Sequence, residues 1–252
     1  MKYDVEFLSL LKDANERFSG WDFSFLTETD RVQSGMLPWS YGSIVSASLP
    51  KANSMLDMGT GGGEFLSKLR PLPARVCATE GYAPNVPIAK GWLEPLGVEV
   101  FQVYEDEKLP FEDDPFDLII NRHESYSAAE VRRVLEDGGT FITQQVGGND
   151  CHDINERLGA PFNDEFIHWN LEYAVNELKD HGFRVVDFQK HSPVQRFYDI
   201  GALVYYLKAI PWQIPGGFKV EDYLEKLYDI HLSIKEHGYF EVRQNRFIIQ
   251  AE

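Results

Sequence analysis

The residues with the strongest chemical signal are an acid and four glycines in the first quarter of a 252-residue chain. Asp57 follows the apolar pair 55–56, and glycines stand at positions 59, 61, 62 and 63. Glycine accepts positive φ angles and lets a ligand approach the backbone closely. Apolar residues at 65, 66 and 69 predict a helix, whose N-terminus would offer unpaired N–H groups. A strand, a glycine turn and a helix in this order indicate a ligand-binding loop more strongly than a flexible turn.

A second acid stands at the end of the next predicted strand. Glu80 follows the apolar run 75–79 and lies 23 positions after Asp57. Nucleotide-binding α/β folds place a carboxylate on the ribose hydroxyls at about 20 residues from the glycines. A carboxylate suits this task because it accepts hydrogen bonds from both hydroxyls. A strand-end Glu is more often simply exposed, but this spacing favours the binding role.

Three polar residues, Asn121, Arg122 and His123, follow the fourth predicted strand. Open α/β sheets bind ligands at this edge. His123 is the best candidate for a general base because a histidine titrates near neutral pH. The alternative for His123 is a structural or positioning role. Arg122 could hold an acidic substrate or form a salt bridge with Glu124 or Glu80.

The composition restricts the partners. Acids outnumber bases by 40 to 24, so the net charge is −16 and the pI is near 4.8. Such a charge repels polyanions, and broad nucleic-acid binding is therefore not expected. Cys77 and Cys151 lie in no metal-ligand or disulfide pattern, so no metal site is expected. The sequence shows neither a signal-peptide core nor an apolar run of membrane-spanning length, which predicts a soluble, cytoplasmic protein.

The hydrophobic pattern predicts an α/β domain that places these residues at one edge of a sheet. Nearly continuous apolar runs indicate strands that are buried on both faces, as in a parallel sheet. Gly138-Gly139 is expected to stop the helix before the fifth strand. Strands are predicted to end at 56 and to span 75–79, 98–103, 116–120, 140–146, 184–188 and 246–250. Helices are predicted near 5–18, 84–96, 128–136 and 169–181.

Two aromatic segments flank this core. The first, within residues 1–50, places many aromatic residues beside chain breakers, and we expect a lid that packs through its rings. The second, 197–238, predicts two helices before the last strand. Most of these rings are expected to be ordinary core. The side chains that could instead line a pocket are Arg31, Trp39, Tyr41, Tyr205 and Trp212.

In these residues the chain resembles the class I S-adenosylmethionine-dependent methyltransferases. Residues 56–63, Leu-Asp-Met-Gly-Thr-Gly-Gly-Gly, look like their first motif, and Glu80 looks like their ribose-binding acid. Glu105, four residues before a Leu-Pro-Phe segment, matches the position that usually meets the adenine. The family more often has Asp there, and the neighbouring Asp106 could share the role. Phe-Asp-Leu-Ile at 116–119 is similar to their central strand, and 134–139 to their "RVLKPGG" segment. The ordered set is more specific than any one motif.

The resemblance implies a Rossmann-like α/β fold with seven mostly parallel strands, helices on both faces and an antiparallel last strand. It implies one domain over 1–252, with a lid at 1–50, a cofactor-binding core at 53–190, a helical insertion at 197–238 and the last strand at 246–252. S-adenosylmethionine would be the cofactor, and NAD would fit less well because the acids would crowd its pyrophosphate. The implied cofactor-binding residues are Asp57, Gly59, Thr60, Gly61, Gly63, Glu80, Gly81, Tyr82, Glu105, Asp106 and Asn121.

The expected reaction is in-line transfer of the sulfonium methyl group, mainly by alignment of the reactants. We expect a small-molecule acceptor, because the insertion before the last strand commonly caps the acceptor pocket in this family. One alternative is methylation of ribosomal RNA at guanine N1, since 207–212 is faintly similar to those enzymes. The negative charge and the lack of their cysteine-rich module disfavour it. Another alternative function is a non-catalytic cofactor-binding module. The apolar run 200–207 could form a homodimer surface rather than a lid.

Overall fold

The computed structural model describes residues 2–18, 21, 23–111 and 115–252, and the chain divides into two compact units. Positions 1, 19, 20 and 22 of the predicted lid lie outside the described residues. The prediction of a single domain with four segments stays a prediction. Unit 1 comprises Met1–Leu37, Gly147–His168 and Ser192–Asn245, and unit 2 comprises Pro38–Val146, Trp169–His191 and Arg246–Glu252.

The helices and strands are named in chain order. The helices are α1 (Val5–Leu10), α2 (Ser24–Thr27), α3 (Tyr41–Ser48), α4 (Val86–Leu93), α5 (Ala128–Val134), α6 (His152–Leu158), α7 (Leu171–Asp180), α8 (Ile200–Ala209) and α9 (Leu224–His237). The strands are β1 (Val32–Ser34), β2 (Ser54–Met58), β3 (Arg75–Glu80), β4 (Glu99–Gln102), β5 (Phe116–Arg122), β6 (Leu135–Val146), β7 (Val185–His191), β8 (Val194–Phe197), β9 (Phe240–Arg243) and β10 (Arg246–Ala251). No described helix has the length and apolar character that crossing a bilayer requires.

A seven-stranded sheet forms the centre of unit 2, in the order β4-β3-β2-β5-β6-β10-β7. Strands β2 to β6 pair in parallel, whereas β10 is antiparallel to both of its neighbours. Met58 pairs with Asn121, and Asn121 pairs with Thr143. The carboxyl ends of three strands therefore meet at one edge. The predicted Rossmann-like sheet, mostly parallel with an antiparallel last strand, is confirmed.

The strands β2, β3, β5 and β10 of unit 2 are buried on both faces, as their apolar runs predict, whereas the edge strand β7 is largely exposed. Leu56 and Ile119 belong to a buried cluster that also contains Val131 from α5 and Leu178 from α7. Side chains alternate between the faces of a strand, and residues of the opposite face, such as Ile120, are fully buried as well. This double burial makes the sheet a rigid platform for the loops at its edge.

The prediction of a helix after the glycines is wrong. The chain forms only one 3-10 turn there, Leu66–Lys68, whose last residue is followed by Leu69 in an extended conformation. Prolines stand at 71 and 73. A proline disfavours the helical conformation for the residue before it and lacks the N–H that a helix needs. The apolar side chains at 65, 66 and 69 are thus consistent with a helix, but the prolines end it after one turn.

The boundary between α5 and β6 also differs from the prediction. The helix ends at Val134, and β6 begins directly at Leu135, which pairs with Phe116 of β5. Gly138 and Gly139 therefore lie inside the strand and do not stop the helix. The pairing register shifts between Phe116 and Leu118, so this early part of β6 is irregular. Tertiary pairing decides this boundary more than the local glycine signal does.

A small antiparallel sheet in unit 1 was not predicted. Its strand order is β1-β8-β9, and Phe197 of β8 pairs with both Val32 and Phe240. The alternation in Val194–Phe197 is a strand signal, but each strand has only three or four residues. Short strands are weak patterns for a single sequence because their partners are distant in the chain.

The predicted helical insertion forms α8 and α9 in unit 1. Residues of α8 from Ile200 to Leu207 are almost entirely buried, together with Phe7 of α1 and Leu227 of α9. The apolar run is therefore core of unit 1, and a homodimer stays a prediction. Arg31, which was expected near a pocket, instead binds two aspartates of unit 1, Asp13 and Asp199.

Candidate functional site

The glycine loop, residues 59–63, follows β2 and is held to its neighbours. The Thr60 N–H donates to the carbonyl of Thr79 in β3 at 2.9 Å. A Cβ added to Gly63 would lie 2.8 Å from Leu93 Cγ, so α4 packs directly against the loop. These contacts fix the path of the backbone between two elements of unit 2.

Three residues of this loop need to be glycine. The φ angles are +68° at Gly59, +64° at Gly61 and +89° at Gly63. Side chains of L-residues rarely adopt these angles. A Cβ on Gly61 would meet no described atom within 4 Å, in contrast to the crowded positions 59 and 63. The loop therefore has an open side at Gly61, where a ligand could contact the backbone.

Asp57 lies at the end of β2 and is 5% exposed. Burial raises the pKa of its carboxyl to about 7, and the charge of Glu80 acts in the same direction, whereas Thr60 and Arg122 oppose the increase. The carboxyl is therefore partly protonated at neutral pH. A cation bound beside it would stabilise the carboxylate form.

Glu80 is buried and not exposed, which removes the ordinary alternative for a strand-end Glu. Its Oε1 accepts a hydrogen bond from the Tyr82 N–H at 2.7 Å. Burial raises the pKa of Glu80, and the backbone amides of Tyr82, Gly61 and Gly81 counteract this effect. The carboxyl thus lies beside both the glycine loop and the turn after β3, which is the place expected for the ribose-binding acid.

Glu124 is a site residue that the sequence reasoning missed. A Cβ on Gly59 would lie 2.5 Å from both Cβ and Cγ of Glu124, so this side chain packs against the glycine loop. Burial raises the pKa of Glu124 to about 7, and the charges of Glu80 and Asp106 add to the effect. Its position just after the end of β5 was the available signal, but the sequence suggested only a salt bridge to Arg122.

The two acids considered for the adenine have different surroundings. Asp106 is half-buried, accepts a hydrogen bond from the Ser125 hydroxyl and influences the carboxyl of Glu124. Glu105 is exposed. Asp106 is therefore the acid of this pair that lies among the other carboxyls.

In the turn after β3, a Cβ on Gly81 would have only one contact, at 3.8 Å, so the backbone is accessible there too.

Asn121 is completely buried at the end of β5, where its side-chain amide joins a hydrogen-bond network. Its Oδ1 accepts hydrogen bonds from Thr143 Oγ1 at 2.9 Å and Gln145 Nε2 at 2.6 Å. Gln145 Nε2 also donates to the carbonyl of Glu124 at 2.9 Å. The Nδ2 of Asn121 has no partner among the described residues. This network holds the segment after β5, and the free amide group suits a ligand or a water molecule.

Arg122 lies on the other side of β5 and remains exposed. Its guanidinium is 5.9 Å from the ring centroids of both Tyr41 and Phe65. Within the described part of the chain it has no ion pair, so the salt bridges considered to Glu124 and Glu80 do not form. Tyr41 is buried, and its hydroxyl lies near the backbone of Asn121 and the carboxyl of Asp57. These two residues bring a cation and a hydroxyl to the same edge of unit 2.

Trp39, Gln144 and His123 form a chain of hydrogen bonds. The indole Nε1 of Trp39 donates to Gln144 Oε1 at 2.8 Å, and Gln144 Nε2 lies 3.0 Å from His123 Nε2. The backbone N–H of His123 also donates to the Gln144 carbonyl, at 2.8 Å. Trp39 was expected to line a pocket, which stays a prediction, and its polar atom is engaged in this chain. Gln144 was missed, although polar residues at the end of a buried strand are a usable signal.

His123 has an unusual backbone and an unusual ring environment. Its φ angle is +61°, which is uncommon outside glycine and is often found at functional sites. The residue is exposed to solvent, although other protein atoms lie around its ring. These surroundings, with the cations of Arg246 and Arg122, hold the pKa of His123 well below its usual value.

The other predicted substrate residues belong to unit 1. Tyr205 is 3% exposed, and its ring centroid lies 4.7 Å from that of Phe25, so it is part of the core. Trp212 is 46% exposed and packs against Trp21 at 5.6 Å. The side chains that the structure brings together around the glycine loop are the carboxyls of Asp57, Glu80 and Glu124 in unit 2.

One group in the described part of the chain could in principle hold a metal ion: Asp4, Glu6 and His231 of unit 1. The ammonium of Lys235 already lies 2.9 Å from Glu6 Oε2 and 3.7 Å from Asp4 Oδ2. These carboxylates therefore face a protein cation, which accounts for their clustering.

Comparison with known proteins identifies the family. A family model described as a methyltransferase domain matches residues 40–187, which is more than half of the chain. The chain belongs to the class I S-adenosylmethionine-dependent methyltransferases. This membership covers the glycine loop, the acids beside it and the segment after β5, and it makes S-adenosylmethionine the cofactor.

One curated relative is similar in sequence to this chain, and two solved structures share its fold. YcgJ of Bacillus subtilis, an uncharacterized methyltransferase, is 30% identical over 108 residues, which are 39% of this chain and 43% of YcgJ. The sequence match thus spans less than half of that relative's length. The solved structure of YcgJ shares the fold with a TM-score of 0.58 at 19% identity, over 83% of this chain and 96% of that one. A functionally unknown protein from Deinococcus radiodurans gives 0.60 at 14% identity, over 88% and 90%.

The residues around the loop fit this cofactor chemically. S-adenosylmethionine carries a sulfonium and an ammonium cation and a ribose diol, and three carboxyls, Asp57, Glu80 and Glu124, lie beside the loop. The open side at Gly61 leaves room for close contact, and Asn121 has an unused donor. An anionic pyrophosphate would be repelled by the same carboxyls.

Proposed function

We propose that this chain transfers the methyl group of S-adenosylmethionine to a small-molecule acceptor. The observation that carries the proposal is the open side of the glycine loop at Gly61, beside the carboxyls of Asp57, Glu80 and Glu124. Negative charge at this place favours a cationic cofactor. The same charge, with −16 for the whole chain, disfavours a polyanionic RNA acceptor.

The cofactor would be held by residues of unit 2. Glu80 would accept from the ribose hydroxyls, and Asp106 or Glu105 from the adenine amino group. Gly81 and Tyr82 would border the adenine, and Asn121 would donate from its free Nδ2. Asp57 would orient the loop that Gly59, Thr60, Gly61 and Gly63 form. When bound, the cofactor supplies an electrophilic methyl group.

The protein's own contribution to the reaction would be alignment and a suitable charge environment. Attack in line with the sulfonium gains most from holding both reactants in position. Arg122 and Tyr41 would contact the acceptor, and Arg122 would favour one with an acidic group. His123 was predicted as the general base, and Glu124, with a pKa of about 7, is also suited to accept a proton at neutral pH. Acceptor roles for Trp39, Tyr205 and Trp212, and a cytoplasmic location, stay predictions.

Cofactor binding is tested with a matched pair of glycine variants. Gly61→Ala and Gly97→Ala both place a side chain at a positive φ with no described atom within 4 Å. Each should therefore destabilise the protein by a similar amount, about 1–2 kcal/mol. Only Gly61 would lie against the cofactor, so G61A should weaken S-adenosylhomocysteine binding at least tenfold by calorimetry while G97A should not. Equal affinities in both variants would remove the loop from the proposed site.

The acceptor is tested by transfer of a labelled methyl group from S-adenosylmethionine into a cell lysate separated by size. We expect label in the small-molecule fraction with the wild type and G97A and a strong reduction with G61A. Label in RNA would instead support the ribosomal RNA alternative. No label in any fraction, with binding intact, would support a non-catalytic cofactor-binding module.

A further inference from the structure

The orientation of the Gln144 amide follows from its contact with Trp39. An indole N–H can only donate a hydrogen bond. The Gln144 atom that lies 2.8 Å from Trp39 Nε1 must therefore be the carbonyl oxygen. Trp39 is 9% exposed and Gln144 is 3% exposed, so water does not compete readily for this contact. The amide nitrogen of Gln144 is consequently the atom that faces His123.

The protonation state of the His123 ring follows from the same reasoning. An amide NH₂ group can only donate, and it lies 3.0 Å from His123 Nε2. That ring nitrogen must therefore accept, and in the neutral ring the proton must be on Nδ1. The backbone of the same glutamine also accepts the His123 N–H. One residue thus fixes both the position of the ring and its tautomer.

We propose that Trp39 and Gln144 are positioning residues that hold His123 as a neutral hydrogen-bond donor, so that its ring presents Nδ1–H and does not take up a proton at Nε2. This inference rests on the proposed methyl transfer for its purpose, because a donor at this place would orient an acceptor oxygen. Among the described residues, none bonds to Nδ1, and the side chain is open to solvent. Proton uptake, where the acceptor requires it, would then fall to Glu124.

The charged groups around His123 support the neutral ring. Desolvation by the surrounding protein atoms lowers the pKa of His123 most, and the cations of Arg246 and Arg122 also disfavour an imidazolium. Glu124, the next residue in the chain, is partly protonated near pH 7 and so offers limited compensation. Protonation of Nε2 would also direct an N–H at the Gln144 NH₂ group and break the hydrogen bond.

The test is ¹⁵N NMR of the imidazole groups in the full chain, labelled at histidine and saturated with S-adenosylhomocysteine. The signals of His123 are assigned by their loss in His123→Asn, since Asn tolerates the positive φ. We expect Nδ1 protonated, Nε2 unprotonated, and no titration between about pH 5.5 and 8. A protonated Nε2, or a midpoint near 6.5, would overturn the inference.

Gln144→Glu provides a change of tautomer with little change of shape. Its carboxylate can accept from Trp39 and from a protonated His123 Nε2 at the same time, so the proton should move to Nε2 and the ring should titrate at higher pH. Gln189→Glu is the matched control, because it adds the same charge to β7 of the same sheet. Trp39→Phe should give a mixture of tautomers. Unchanged signals in Q144E would exclude Gln144 as the positioning residue.

The outcome can be separated from that of the proposed function. The NMR signals report the state of His123 whether or not methyl transfer is detected. If the expected tautomer is observed but no methyl transfer is detected, the positioning inference stands and the proposed transferase activity is wrong. Activity with the opposite tautomer would remove only the inference, and the predicted role of His123 as a base would be restored.

Discussion

The side chain of Glu124 packs against Gly59, and its carboxyl and that of Asp57 each have a pKa of about 7. A cation bound beside them should lower these pKa values and release protons near pH 7. We predict that S-adenosylmethionine releases more protons on binding than S-adenosylhomocysteine, which lacks the sulfonium charge, as measured by calorimetry in buffers of different ionisation enthalpy. Glu124→Gln should reduce the difference, whereas Glu99→Gln, at an exposed position of β4, should not. If both ligands release the same number of protons, then neither Asp57 nor Glu124 lies close enough to the cofactor's sulfur for the sulfonium charge to change its pKa.

At the scale of elements, Arg31 joins the segment before β1 to α8. It binds Asp13 and Asp199 with side chains about one-fifth exposed, and Asp199 also caps α8. Arg31→Met should lower the free energy of unfolding by about 1–3 kcal/mol, because the two aspartates lose their shared cation. Urea denaturation measures this change. Arg184→Met is the control: it removes a far more exposed ion pair with Glu252 and should lower the free energy of unfolding by less than about 0.5 kcal/mol. A similar loss in both variants would show that the ion pairs of Arg31 stabilise the protein no more than an exposed pair does.

The stability of the whole molecule should depend on pH through its buried carboxyls. Asp57 and Glu124 have pKa values of about 7 when folded, against about 4 in an unfolded chain. The folded protein therefore binds more protons in this window, so the stability that these groups contribute is present below about pH 4 and is lost as pH rises towards 7. We predict that the Tm of the ligand-free protein falls between about pH 6 and 8, and that Asp57→Asn reduces the fall by roughly 2–4 °C. An identical pH dependence in both proteins would contradict the raised pKa of Asp57.

The sequence by itself determined the features that depend on local pattern and spacing. The apolar run 116–120 predicts a buried strand, and Asp57, the glycines and Glu80 predict a cofactor site, because both signals lie within short stretches of chain. The sheet type follows from the alternation of strands with helices. The insertion helices near 200–209 and 224–237 were also predictable, since their apolar residues recur at helical spacing.

Only the tertiary structure decided the features that join distant residues. Trp39 and Gln144 are 105 positions apart, and no local pattern predicts that a glutamine would set the tautomer of His123. The sheet β1-β8-β9 likewise depends on pairing across most of the chain. Glu124 was visible as a polar residue after β5, but its contact with Gly59 exists only because parallel strands bring their carboxyl ends together. Local propensity is a property of neighbouring residues, whereas a hydrogen bond, a pKa and a packing contact depend on which distant groups folding brings within a few ångströms.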